Sequence, residues 1–216
     1  MTGERMEMRQ GAPVPERPAP EPFLANFAAD FDRQFIYCDS GGGGRWITKA
    51  RIYLSTHSLW VMLGYRFGRS LKARPVPLLN PILWIIFRLW EFAARAATGI
   101  TVDIDARIAP GLLFAHFGAI YIGPGVVIGR NCSVGQTCLL SGDGSWPDTP
   151  APVIGDRVYM APGTKVFGPV RVGDDAALGA NSVVVSDIPP SATAVGNPAS
   201  VINANGSAKY LRLRSG

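Results

Sequence analysis

Aliphatic residues recur every six positions through the second half of the chain. Ile154, Met160, Val166, Val172, Leu178 and Val184 fall six apart without a miss, and Ile122, Ile128, Val134 and Leu140 form an earlier run. Val102, Ile108 and Phe114 extend the pattern upstream. The residue after each anchor is usually very small: Gly123, Gly129, Gly135, Gly155, Gly173 and Gly179, with Ala109, Ala115 and Ala161. Amphipathic helices repeat about every 3.6 residues and half-buried strands every two, so neither fits. A period of six predicts a parallel β-helix of hexapeptide repeats. Three hexads then make one triangular coil, with the aliphatic residue inward on each face and the small residue at the crowded corner. The expected fold is mainly β, with the β-helix over 99–203 and an α-helical region before it.

That preceding region, 45–98, has a different pattern. Helices are expected at about 46–72 and 81–97, separated by the helix-hostile stretch RPVPLLNP. From Arg45 to Trp90 there are eight basic residues and no acidic one, interleaved with Trp46, Tyr53, Trp60, Tyr65, Phe67, Trp84, Phe87 and Trp90. Two readings stand open. Either the helices form a cap packed on the β-helix or a neighbouring subunit, or residues 45–97 form an interfacial patch that meets an anionic membrane surface. The apolar run Ile82–Phe87 is far too short to span a bilayer. Nucleic acid is not expected as a partner, because no reader motif is present. Residues 1–44 read as a disordered tail rich in Pro and Gly, and 204–216 as a C-terminal tail.

Composition adds bounds. In 216 residues the hydrophobic fraction is 47%, ample for a core. The first residues lack the apolar centre of a secretory signal. Cys38, Cys132 and Cys138 are sparse, odd in number and without metal-type spacing, which favours a reducing compartment. A cytoplasmic protein is expected, with the inner membrane surface as its peripheral site in the second reading above.

The repeat breaks twice. Between Phe114 and Ile122 the spacing is eight, and the extra residues surround His116; between Leu140 and Ile154 it is fourteen, which predicts a loop containing Trp146. His116 lies two residues after its anchor Phe114, and Gln136 two after Val134. One coil plus the two inserted residues separates them, so they should be neighbours on successive coils, about 4.8 Å apart. The loop after Leu140 is expected to leave the same region. Histidine is the natural general base near neutral pH.

The stretch from Pro110 to Ile202 resembles the hexapeptide-repeat acyltransferases, most closely their serine acetyltransferase branch. The resemblance rests on PGLLFAHFGAIYIG (110–123), VGQTCLLSGDG (134–144), IGDRVYMAPGTKVFGPVRVG (154–173), LGANSVVVSDIP (178–189) and VGNPASVI (195–202). It implies a left-handed β-helix and direct acetyl transfer from acetyl-CoA to a hydroxyl, with His116 as general base, no acyl-enzyme and no metal. It also implies a homotrimer, with pairing of trimers left open. The CoA groove between prisms would be lined here by Ala161, Gly163, Lys165, Gly179 and Ala180. Gln136 and Trp146 are candidates to bind the acceptor, Trp146 by stacking on a sugar ring.

The departures from that family matter. The Asp that precedes its catalytic His is Ala115 here, and its Arg-His pair before the loop proline falls on Pro150 and Ala151. These groups hold the charged ends of serine. The Asp that orients the histidine aligns with Thr101; Asp103, two residues on, serves only if the turn is shorter here. The expected activity is therefore O-acetylation of a sugar hydroxyl of a surface polysaccharide or lipid-linked glycan, as in exopolysaccharide acetyltransferases. A serine O-acetyltransferase of cysteine synthesis is the alternative, and a non-catalytic trimeric scaffold is the alternative of another class.

Overall fold

A computed structural model describes residues 23–38, 56–75, 77–144, 150–211 and 213. Three helices precede the repeats: α1 (Phe23–Cys38), α2 (His57–Ala73) and α3 (Asn80–Thr98). The repeats then form a left-handed parallel solenoid of three flat faces. The first face stacks β1 (Ile100–Val102), β4 (Ile120–Ile122), β7 (Leu139–Ser141), β10 (Lys165–Phe167) and β13 (Val183–Val184). The second stacks β2 (Arg107–Ile108), β5 (Val127–Ile128), β8 (Val153–Ile154) and β11 (Arg171–Val172). The third stacks β3 (Leu113–Phe114), β6 (Ser133–Val134), β9 (Tyr159–Met160), β12 (Ala177–Leu178) and β14 (Thr193–Gly196), closed by the antiparallel β15 (Ala199–Asn203). Four coils are complete, and β13, Ile188 and β14 begin a fifth.

The hexad anchors point inward as expected: Ile122, Val134, Leu140, Met160, Val166, Leu178 and Val184 have no accessible surface. Each such side chain contributes about 1.5–3 kcal/mol by leaving water. A second inward row lies two residues before each anchor, with Ala106, Leu112, Ile120, Val126, Cys132, Cys138, Val158, Val170, Ala176 and Ala192 all buried. Backbone amides bond from coil to coil, as in Gly129 N to Ile154 O at 2.9 Å and Gly135 N to Met160 O at 2.8 Å. At Gly135 an added Cβ would stand 2.6 Å from the Pro162 nitrogen, which is why the corner residue is so small.

The helices are fastened to the first two coils. Phe23–Cys38 is a helix, which corrects the expectation of a disordered tail through residue 44. The Pro-rich composition stops at Pro22, and α1 then buries Asp30, Arg33 and Gln34 rather than a broad apolar stripe. Asp30 pairs with Arg66 of α2 (Nε–Oδ2 2.9 Å) and accepts the Gly111 amide at 2.8 Å. Arg66 also donates to Ala109 O at 2.9 Å, and Arg33 donates to Ser133 Oγ at 3.2 Å. Helix α2 starts at His57; residues 46–55 of the first expected helix lie outside the described residues. Helix α3 starts after Leu79 with Pro81 in its first turn and ends at Gly99, whose φ of 69° terminates it.

Candidate active site along one edge of the solenoid

The chain turns three corners per coil, and only the corner from the third face back to the first gathers the candidate chemistry. β3 pairs with β6 so that Phe114 faces Val134. His116 and Gln136 each lie two residues after these anchors, on successive coils, but the two extra residues fall between them in register. Gly118 O, not His116 O, accepts the Thr137 amide, as Gln136 O accepts that of Gly163. Gly118 is therefore the register neighbour of Gln136, and His116 stands in a bulge of the same corner rather than directly beside it. Met160 faces Val134, and Leu178 faces Met160. Ala161, Gly163, Gly179 and Ala180 thus continue the same column, and Lys165 opens the strand that follows it.

Backbone bonds knit this edge together: Thr137 N to Gly118 O at 3.0 Å, Gly163 N to Gln136 O at 2.9 Å and Asn181 N to Pro162 O at 2.9 Å. The turn requires a left-handed residue in each coil, filled by Ala119, Thr137, Gly163 and Asn181. At Gly163 the corner is tight, and an added Cβ would meet the Asn181 side-chain oxygen at 2.0 Å, so the amide would have to swing away. Thr137 is β-branched and still holds φ at 59°, with its hydroxyl donating to Gln136 O at 2.7 Å. Strain of this kind concentrates at functional sites.

His116 is exposed, as a base that meets a diffusing substrate must be. On the next coil of the same corner, Gln136 Oε1 is buried and has no hydrogen-bond partner among the described residues. An orphaned acceptor of this kind costs about 1–3 kcal/mol. A hydroxyl or ammonium of a bound molecule would satisfy it. Lys165 is the one cation of this edge among the described residues, and its Nζ donates to Gly163 O at 3.2 Å.

Sequence reasoning missed two buried hydroxyls that complete the corner. Thr164 Oγ1 bonds with Ala161 O at 2.7 Å and Gly179 O at 3.1 Å; Ser182 Oγ accepts the Gly196 amide at 3.2 Å. Both stand two residues before an anchor, a place otherwise apolar or very small, and that substitution was the available signal. The cysteines are not at the site as nucleophiles. Burial pushes the Cys132 thiol up to about 12 and Cys138 up to about 11, so both stay protonated near neutral pH.

Two expectations are corrected by the register. Asp103 does not join His116. It follows β1 at the corner between the first and second faces, where its carboxylate accepts the Asp105 amide at 2.7 Å and shapes its own turn. Thr101, the other position considered, lines a small apolar cleft with Val61, Tyr65 and Trp90. The loop after Leu140 also departs from the wrong corner, because β7 belongs to the first face and β8 to the second. Within one chain it leaves a different edge from His116. Trp146 lies outside the described residues. Pro150 is exposed, and Ala151 packs against the core.

Comparison with known proteins gives a consistent set of relatives. The serine acetyltransferase of Helicobacter pylori is 35% identical over 151 residues, spanning 70% of this chain and 82% of that protein. That of Mycobacterium tuberculosis is 33% identical over 150 residues, spanning 69% of this chain and 61% of that protein. Among solved structures, soybean serine acetyltransferase complexed with serine superposes with a TM-score of 0.70 at 26% identity, covering 83% of this chain and 69% of that chain. No family model matches the chain.

Proposed function

The chain belongs to the serine acetyltransferase family of acetyl-CoA-dependent acyltransferases, and on that premise we propose that it acetylates the hydroxyl of L-serine with His116 as general base. The observation that carries this reading is the column on one edge of the solenoid: an exposed imidazole, a buried unpartnered amide oxygen on the next coil, and a closely packed backbone beyond. His116 takes the acceptor's proton as the oxygen attacks the thioester carbonyl carbon. The C–S bond then breaks, and the imidazolium returns the proton to the departing sulfur, leaving CoA and an ester. Gln136 Oε1 receives a donor of the acceptor. Ala161, Gly163, Gly179 and Ala180 offer the backbone surface along which CoA would lie, and Lys165 the charge for one of its phosphates.

Serine thereby takes precedence over the sugar hydroxyl favoured by the sequence departures, because serine is the acceptor in the relatives' names. The sugar remains a second reading on one observation. A zwitterion needs charged partners, yet Ala115 stands where the family has Asp, and Pro150 and Ala151 where it has Arg-His. Among the described residues of this edge, Lys165 is the one permanent charge. A neutral glycan hydroxyl needs none, and an exopolysaccharide or lipid-linked acceptor belongs to this second reading. A homotrimer, a cytoplasmic location and a peripheral membrane contact through residues 45–97 are part of the proposal; no described helix is long and apolar enough to cross a membrane.

The test is a competition. Purified protein is supplied with acetyl-CoA and an equimolar mixture of L-serine and simple glycosides, and the acetylated products are identified by mass spectrometry. O-acetylserine as the main product supports the first reading. Acetylated glycoside with serine untouched replaces it with the second.

A further inference from the structure

One face of α3 is apolar and uncovered. Leu79, Ile82, Ile85, Ile86, Leu89 and Phe92 are exposed along it, while Phe87, Ala94 and Thr98 turn inward. The turn before the helix carries Leu78, which is 96% exposed at a φ of 68°. Bulky residues seldom adopt that conformation, and here it thrusts an isobutyl group into solvent. Single exposed leucines are ordinary, but a contiguous row of this size marks an interaction surface.

Charge indicates the partner. Residues 57–98 hold six basic side chains, Arg66, Arg69, Lys72, Arg74, Arg88 and Arg95, against one acidic, Glu91. Glu91 is engaged by Arg88 at 3.0 Å. Arg66 is buried, but Arg74, Arg88 and Arg95 are exposed around the ridge. We propose that the α3 ridge is a docking surface for an anionic bilayer, with the helix lying along the headgroup–acyl boundary and Leu78 leading into it. An apolar face bordered by Arg is what such a boundary binds. At 19 residues the helix is about 28 Å long and lies in the plane.

The placement connects to the candidate site. Gly118, two residues after His116, donates its amide to Thr98 O at 2.8 Å, so the end of α3 is tied to the coil that carries the imidazole. A bilayer under α3 therefore holds that edge close to the lipid surface. This narrows the peripheral contact proposed above from residues 45–97 to one helix face, and it rests on that reading but not on the identity of the acceptor.

The full chain is sedimented with phosphatidylcholine vesicles and with vesicles containing phosphatidylglycerol, alongside an Ile85→Glu/Leu89→Glu variant. Solution mass and CoA release from acetyl-CoA with a soluble acceptor are measured for both proteins. The wild type should pellet with anionic vesicles and not with neutral ones. The variant should lose about ten-fold or more in partitioning, the loss of two apolar anchors and the gain of two like charges, while its CoA release and mass stay unchanged. Equal pelleting by both proteins, or none by either, overturns the proposal. So does a variant whose mass falls while the wild type ignores vesicles, because the ridge is then a contact between copies of the chain. Absence of CoA release in both proteins, with vesicle binding as expected, counts against the acyl-transfer reading alone.

Discussion

In the solenoid the buried side chains are aliphatic and the polar groups in need of partners are those of the backbone; where the helices meet the solenoid, charged side chains are buried instead. Ile122, Leu140 and Met160 need only apolar neighbours, and each coil's amides bond to the next coil. Asp30 and Arg66 are almost wholly enclosed and need each other, two backbone amides and two carbonyls. A repeated contact tolerates the loss of one member. A contact made once, between ions, does not.

The sharpest way to break this comparison is to remove one ion. Arg66→Met leaves the Asp30 carboxylate buried without its cation and should cost about 3–5 kcal/mol at neutral pH, measured by urea unfolding. Burial already lifts the Asp30 carboxyl above the ordinary carboxylate range, against the pull of Arg66 and the Gly111 and Leu112 amides. The folded state therefore holds that proton more tightly than the unfolded chain. Stability from this group is fully present below the unfolded value and falls as pH rises through the folded one. Removing Arg66 strengthens the effect, so the variant's deficit should shrink as pH is lowered toward 4. A deficit that does not change with pH contradicts this account of the pair.

A smaller loss is expected in the solenoid. Gly135→Ala drives a methyl toward the Pro162 backbone and should destabilise by about 1–3 kcal/mol. Little pH dependence should accompany it, since no titratable group is involved; a pH-dependent loss would blur the distinction between the two regions. Smallest of all are the cysteines. Cys132→Ala and Cys138→Ala each remove one buried sulfur and should cost about 1 kcal/mol, with turnover kept within about two-fold. A collapse of turnover in either would put a thiol back into the chemistry.

The same contrast decides what was legible in the sequence. Repetition exposed the solenoid, its inward anchors and the corner that carries both His116 and Gln136, because register can be counted along one chain, but not that the two inserted residues hand the place next to Gln136 to Gly118. The same register separates Asp103 and the loop from His116. Val102 and Phe114 are two hexads apart, so residues that follow them turn different corners. Leu140 belongs with Val102 and Ile122 on the first face, so the loop after it leaves the corner of Asp103 and not that of His116. The second inward row was overlooked because it mixes Val, Ile, Ala, Cys, Ser and Thr and has no single chemical signature. Helix α1 was hidden by the proline-rich residues before it, and its attachment depends on pairs such as Asp30 and Arg66 that no periodicity announces.

The central claim is that His116 removes the acceptor's proton on an edge built by the repeats. It is tested most directly by following thiol release from acetyl-CoA with the acceptor preferred in competition, for the wild type and for His116→Ala, with unfolding curves to show that both are folded. The account predicts a loss of about 10²–10⁴-fold in turnover at unchanged stability. A variant that is folded and turns over as fast as the wild type would contradict it.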